Sequence, residues 1–233
     1  MNYLDYLRTD KFPHFWCSGC GNGIVLCAIA RAFEELDLTL ENTVVVTGIG
    51  CWGKADDYVR TNSFHGTHGR ALAFATGIKL ANPSLNVVVL MGDGDGITIG
   101  GNHFIHAARR NVDVTAILVN NFNYGMTGGQ YSGTTPEERI TTTSRYGHIE
   151  EGFDICAVAK AAGARYVARA STENPQQLKN LIRDGIKKQG FACIEAISPC
   201  PTHFGRNNGM RSPAALMRWV NENSVTPAQA VAM

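Results

Sequence analysis

Five short apolar runs punctuate the chain: TVVVTG at 43–48, LNVVVLMG at 85–92, VTAILVN at 114–120, ARYVAR at 164–169 and FACIEAIS at 191–198. They are strand-sized and nearly continuous, which reads as strands buried on both faces. Apolar positions at helical spacing lie between them. GIVLCAIARAFEEL (23–36) precedes the first strand, GRALAFATGIKLA (69–81) precedes the second, and GNHFIHAARRN (101–111) links the second to the third. Residues 173–190, ENPQQLKNLIRDGIKKQG, carry helix punctuation, with Asn174 as N-cap, Pro175 in the first turn and Gly190 as the stop. Strands alternating with helices over short links predict an α/β fold with a doubly wound, mostly parallel sheet.

The stretch 121–153 breaks this rhythm. It is rich in Gly, Thr, Ser and Tyr, shows no period, and follows a strand end directly. Connections of that length are usually functional, and α/β folds bind ligands at strand ends.

The bulk numbers narrow the class. A chain of 233 residues is long enough for one full core, and 44% apolar and 18% charged residues are ordinary for a globular domain. A net charge of +1 without basic clusters excludes nucleic acid as an expected partner. The apolar runs are too short to span a membrane, and MNYLDYLRTDKF lacks the pattern of a signal peptide. A cytoplasmic location is expected.

Seven cysteines in a reducing compartment are not expected to form structural disulfides. Cys27, Cys156 and Cys193 sit inside apolar patterns and read as small core residues. The other four have unusual neighbours: Cys17 and Cys20 in HFWCSGCGNG, Cys51 in GIGCWGK and Cys200 in SPCPTHFG. The Cys-x-x-Cys pair alone fits a redox disulfide, half a zinc site or half an iron–sulfur site.

A second landmark closes the second apolar run, where the chain reads GDGDG at 92–96; about 25 residues later the third run ends in Asn120-Asn121. Gly and Asp are common in plain turns, so either half alone is weak. Together they put a carboxylate and a neutral side-chain oxygen at neighbouring strand ends, with glycines that let a diphosphate approach. Magnesium seeks six oxygen ligands and keeps substrate phosphates among them. A dinucleotide site is disfavoured, since no G-x-G-x-x-G opens a helix after the first strand.

GDG followed by NN at this distance resembles the thiamin diphosphate motif. The wider set, WCSGCGNG, GIGCWGK, THGRALAFATGIKLANP, GDGDGITIGGNHFIHAARRN, NNFNYGMTGGQYSGTTP and the late Cys-Pro, resembles the beta subunit of 2-oxoacid:ferredoxin oxidoreductases. The likeness covers about residues 10–210, with the motifs in family order. It implies one thiamin diphosphate-binding domain over 1–233, with N-terminal and C-terminal Cys segments contributing to a cluster site. It implies that Asp93, Asn121 and the Asn123 carbonyl hold magnesium. Ile49, Gly50, Cys51, Trp52, His68, Gly92, Asp93, Gly94, Asp95, Asn121, Tyr124, Gly125, Met126 and Thr127 would line the cofactor. Cys17, Cys20, Cys51 and Cys200 would ligate one [4Fe–4S] cluster. On the residues' own terms, a closing Cys-Pro recurs in ferredoxin ligation. Zinc would more usually show a second close pair, and thioredoxin chemistry a preceding strand. The family commonly has Pro where this chain has Ser18, and Ser or a similar residue where it has Trp52; neither is a ligand, though Trp52 bears on the polarity around the sulfurs.

The resemblance further implies oxidative decarboxylation of a 2-oxoacid, with coenzyme A taking the acyl group and ferredoxin the electrons. A partner alpha subunit would supply the glutamate that activates the cofactor and the other wall of the pocket. Further small subunits would carry any additional clusters. Lys54 falls where the family places a basic residue near the substrate carboxylate, and His68 where a helix start meets the cofactor; His65, His103 and His106 read as structural. The 2-oxoglutarate members are the best match, making succinyl-CoA the expected product. Branched-chain 2-oxoacid (2-oxoisovalerate) or pyruvate members are the alternative. A bare iron–sulfur electron-transfer subunit is opposed by the Asp93/Asn121 pair, and a thiamin enzyme without electron transfer by the four cysteines.

Overall fold

The computed structural model describes residues 1–225, so the last eight residues of the expected 1–233 domain lie outside the described residues. All five apolar runs form strands. They are β1 (Thr43–Thr47), β3 (Asn86–Gly92), β4 (Thr115–Asn120), β5 (Tyr166–Ser171) and β6 (Ala192–Ile197). A sixth strand, β2 (Asn62–His65), joins them in one wholly parallel sheet of order β2-β1-β3-β4-β6-β5.

The apolar runs alternate between two cores, because successive side chains point to opposite faces. Val45, Val88, Leu90, Ile117, Val119 and Ile194 face one side, under α1 (Asn22–Glu35) and α5 (Pro175–Lys187). Val44, Val46, Val89, Met91, Leu118 and Cys193 face the other. That side is covered by α2 (Ala71–Ala81), α3 (Gly101–Arg109) and α4 (Ile155–Ala161). Each fully buried aliphatic side chain contributes about 1.5–3 kcal/mol relative to exposure.

Two strands depart from expectation. β2 has the sequence NSFH and is exposed along its length, so no apolar pattern announces it; its backbone pairs with β1 from Val44 opposite Asn62 to Thr47 opposite His65. β5 starts two residues later than expected and is the opposite edge strand, half-exposed rather than buried on both faces. The helices shift by small amounts. α2 begins at Ala71, because Gly69 adopts a φ of 73° and closes a turn before it. In α5 the Asn174 side chain accepts from the Gln177 amide at 3.0 Å as expected, but the helix ends at Lys187, ahead of Gly190. Two short helices were not legible: α4, capped by Asp154, and α6 (Pro213–Glu222), capped by Ser212.

The chain runs from β1 to β2 in one direction along the sheet and continues through β3 in the other. The reversal leaves a crevice at the carboxyl ends of β1 and β3, the usual ligand position in such folds. Gly48–Cys51 follow β1 there, and Asp93 follows β3. Among the described residues, no helix is long and apolar enough to cross a membrane.

Candidate active site

Asp93 is the buried centre of the crevice, 1% exposed. Its Oδ2 accepts from the Ser132 hydroxyl at 2.5 Å and the Thr134 hydroxyl at 2.7 Å, while Oδ1 receives only the Asn121 amide at 3.4 Å. Burial pushes its pKa up, and the hydroxyls and the amide pull against that rise. No Lys, Arg or His side chain pairs with it among the described residues. A buried carboxylate with one oxygen saturated and the other nearly free is suited to a cation. Asn121 lies beside it, its Oδ1 accepting from the Asn123 amide at 3.1 Å. Both side-chain polar atoms of Asn123 are buried without a partner.

Asp95 plays a different part. Its Oδ1 accepts from the Gly69 amide at 2.7 Å and the Ile49 amide at 3.3 Å, and lies 2.6 Å from His68 Nδ1. The carboxylate thus ties the end of β1 to the turn before α2. It fits because residue 48 is glycine: a Cβ there would fall 1.9 Å from Asp95 Oδ2. That Oδ2 is buried and unpartnered. His68 therefore stands before the helix and bonds to Asp95, instead of beginning the helix as the sequence reading had it. The chain from Gly94 to Ile99 forms a wide π-type turn leading into α3, a local irregularity often found at functional sites.

A shallow cavity of about 60 Å³ opens over these groups. Its walls contain all fourteen residues expected at the cofactor, from Ile49 to Thr127, together with Asn123. A neighbouring cavity of about 270 Å³ is lined by Cys17, Cys20, Cys51 and Cys200, with Trp16 and Met126 beside them. The four cysteines arrive from three distant places. Cys17 and Cys20 share a turn closed by a Cys20 amide to Cys17 carbonyl bond of 3.2 Å, with Gly19 and Gly21 at φ of 82° and 78°. Cys51 follows β1, its carbonyl accepting from the Trp16 indole at 2.6 Å, and Cys200 follows β6. Cys17 is exposed, Cys20 and Cys51 are half-buried, and Cys200 is buried.

Burial pushes the Cys20 thiol up to about 11 and the Cys51 thiol up to about 12, and the neighbouring cysteines add to both. Four soft donors gathered in one recess fit a cationic iron–sulfur centre. Cys51, Asn121, Gly125 and Met126 belong to both cavities, so the two sites share a wall. Trp52 is buried against Trp16, with ring centroids 5.6 Å apart.

Lys54, expected near the substrate carboxylate, stands in the short helix that follows Cys51. Its ammonium pairs with Asp57 at 2.7 Å on the surface and lines neither cavity. Hydrogen bonding to Asp57 holds the lysine pKa up. Of the three cysteines read as core, only Cys193 is fully buried; Cys27 and Cys156 are half-buried. His65 bonds to Thr47 and Asp56, a structural position. The sequence reading missed Ser132 and Thr134, the two hydroxyls that orient Asp93. Their signal lay in the Ser-Gly-Thr-Thr run of the long loop, whose hydroxyls are unusually buried.

Residues 47–196 match the family described as thiamine pyrophosphate enzyme, C-terminal TPP binding domain. That sets the class as a thiamin diphosphate-binding fold. The chain is 53% identical over 231 residues to the 2-oxoglutarate synthase subunit KorB of Methanothermobacter marburgensis, covering 99% of this chain and 81% of that one. It is 43% identical over 202 residues to 2-oxoacid:ferredoxin oxidoreductase 2, subunit beta, of Aeropyrum pernix, covering 87% and 65%. It superposes with a TM-score of 0.84 and 40% identity on the 2-oxoglutarate:ferredoxin oxidoreductase from Magnetococcus marinus, solved with 2-oxoglutarate, coenzyme A and succinyl-CoA bound, covering 87% and 69%. The chain belongs to the beta subunits of the 2-oxoacid:ferredoxin oxidoreductases.

Proposed function

We propose that the chain is the thiamin diphosphate-binding half of a 2-oxoglutarate:ferredoxin oxidoreductase. It would convert 2-oxoglutarate and coenzyme A to succinyl-CoA and carbon dioxide, passing two electrons to ferredoxin. The observation that carries this reading is the wall shared by the Asp93 cavity and the four-cysteine cavity. The names of the relatives and the ligands bound to the Magnetococcus enzyme support 2-oxoglutarate over branched-chain acids or pyruvate.

Bound thiamin diphosphate supplies an electron sink at the keto carbon, and a [4Fe–4S] cluster accepts electrons one at a time. This chain's residues do the positioning. Asp93 Oδ1, the Asn121 side-chain oxygen and the Asn123 carbonyl would hold magnesium. Asp95 braces His68 and the Ile49 amide against the same crevice. Cys17, Cys20, Cys51 and Cys200 would hold the cluster across the shared wall.

A cavity of about 60 Å³ cannot enclose a cofactor, since ligand pockets run to about 300–1,000 Å³. That shortfall supports a second wall from an alpha subunit, which would also supply the activating glutamate and exclude water. Tyr146, Ile149 and Phe153 expose large apolar surface on the 121–153 loop and offer a place for it to dock. The location we assign is cytoplasmic, where ferredoxin and free thiols are maintained.

The test is co-purification without oxygen. The subunit with its alpha partner is expected to reduce a viologen dye in the presence of 2-oxoglutarate and coenzyme A. The subunit alone is expected to be inert. Robust turnover by the single chain, or by the complex only with a different 2-oxoacid, would contradict the reading.

A further inference from the structure

A third recess, of about 480 Å³, opens beside the four cysteines, with Cys17, Thr202, Arg206, Arg211 and Pro213 in its walls. Cys17 and Thr202 also line the four-cysteine cavity, so these two spaces share a wall as well. Of the four cysteines, only Cys51 reaches the cofactor cavity and only Cys17 reaches this recess. The three spaces therefore follow one another: the cofactor position at Cys51, the cluster position, and the recess at Cys17. The recess and the cofactor cavity have no lining residue in common.

The chain builds this recess from the cysteines outward. The Cys200 sulfur accepts from the His203 amide at 3.4 Å and opens a π-type turn over Pro201–Gly205, which delivers Arg206. The Gly205 carbonyl accepts from the Met210 amide at 2.8 Å, closing a loop that brings Arg211 back to the same place. Ser212 then caps α6, and Pro213 at its start packs on Gly19, where no Cβ would fit. Both arginines are exposed, and among the described residues neither pairs with a carboxylate. No acidic side chain lines the recess. The whole chain carries a net charge of only +1, so the two guanidiniums are a local excess and not part of a general field. Cys17 is the exposed member of the four cysteines, and the exposed Phe15 ring adds apolar area at the rim of their cavity.

Resting on the cluster and reaction proposed above, we infer that the Arg206–Arg211 recess is the docking surface for an acidic electron-carrier protein, and that electrons leave the cluster on its Cys17 side. Guanidinium forks match carboxylates, and unpaired surface charge steers an oppositely charged protein into encounter. Each encounter passes one electron from the reduced cluster to one oxidised carrier, so two carriers are reduced for each acyl-CoA formed. A carrier must also leave again, and attraction between exposed charges gives a fast, salt-sensitive contact of that kind. Entry at Cys51 and exit at Cys17 keep the carrier away from the cofactor.

The experiment assays the assembled alpha–beta complex with 2-oxoglutarate and coenzyme A against two acceptors. One is an acidic ferredoxin in its oxidised form; the other is methyl viologen, a small cation that needs no docking surface. Arg206→Glu combined with Arg211→Glu is expected to raise the KM for ferredoxin roughly tenfold at low salt. Its KM should also depend less steeply on salt than that of the wild type. Viologen reduction, iron content and the KM for coenzyme A are expected to stay as they are. Arg206→Lys combined with Arg211→Lys keeps the charge and is expected to retain most of the affinity for ferredoxin. If the double reversal fails to assemble, the double alanine variant decides, with a rise of about threefold expected. An unchanged KM and salt dependence for ferredoxin would overturn the inference alone. A raised KM for coenzyme A with that for ferredoxin unchanged would give the recess to phosphates and overturn it too. A wild-type complex that reduces neither acceptor would overturn the proposed reaction and this inference with it.

Discussion

Gly125 faces Cys51 where the two cavities meet, and a Cβ built on Gly125 would lie 3.4 Å from the Cys51 sulfur. The expected cofactor position and the expected cluster are separated by the wall that these two share with Asn121 and Met126. Short separation is what single-electron transfer between the two requires. Gly125→Ala makes an ordinary contact and is expected to keep full iron and near-normal turnover. Gly125→Val forces a branched side chain into the wall. It is expected to retain iron while slowing reduction of the cluster by 2-oxoglutarate by roughly tenfold or more. Rapid-mixing absorbance checks this; an unchanged rate in the valine variant would show that electrons take another route.

The cysteines divide into two groups by place. Cys17→Ser, Cys51→Ser and Cys200→Ser should each abolish the brown colour of anaerobically purified protein. Cys193, buried in the core on the α4 face, has no part in that cavity, so Cys193→Ser should keep the colour. Iron and zinc analysis reads the result. About four irons per wild-type chain are expected, and stoichiometric zinc would contradict the assignment.

Asp93 supplies the only carboxylate expected at magnesium. Asp93→Ala should abolish magnesium-dependent binding of thiamin diphosphate, as read by isothermal titration. Asp93→Asn keeps the shape and removes a buried, uncompensated charge. It is expected to raise the melting temperature of the metal-free complex by about 2–4 °C for each kcal/mol relieved, and to lose stabilisation by added magnesium. Unchanged cofactor affinity in either variant would move the metal elsewhere.

Lys54 and Asp57 form an exposed pair one helical turn apart, so their contact contributes less than about 1 kcal/mol. Lys54→Ala is expected to leave melting temperature, iron content and the KM for 2-oxoglutarate nearly unchanged. A marked rise in KM with iron intact would show that the side chain leaves Asp57 to meet the substrate carboxylate.

Much of this arrangement is legible in the sequence. Four central strands, β1, β3, β4 and β6, announced themselves because burial on both faces demands apolar runs. Asp93 and Asn121 stood out because they close two neighbouring apolar runs, and the four cysteines because of their unusual neighbours, the Cys-x-x-Cys pair and the late Cys-Pro among them. The edge strand β2 escaped because NSFH buries nothing and is held by backbone pairing alone. Ser132 and Thr134 escaped for a different reason. Each is an ordinary loop residue in sequence, and its meaning comes from a contact with Asp93 across 39 and 41 positions. Lys54 stands in a short helix whose Trp52, Gly53 and Ala55 are buried, with its ammonium turned out to Asp57, a pairing that its place three residues after Cys51 does not announce.

The most direct measurement of the central claim is the iron–sulfur absorbance of the anaerobic alpha–beta complex on mixing with 2-oxoglutarate. With thiamin diphosphate and magnesium present, the absorbance is expected to bleach, and to recover when oxidised ferredoxin is added. Omission of thiamin diphosphate, or the Asp93→Ala substitution, should prevent the bleaching while leaving iron in place. A complex that holds a full complement of iron and cofactor yet shows no bleaching would contradict the account.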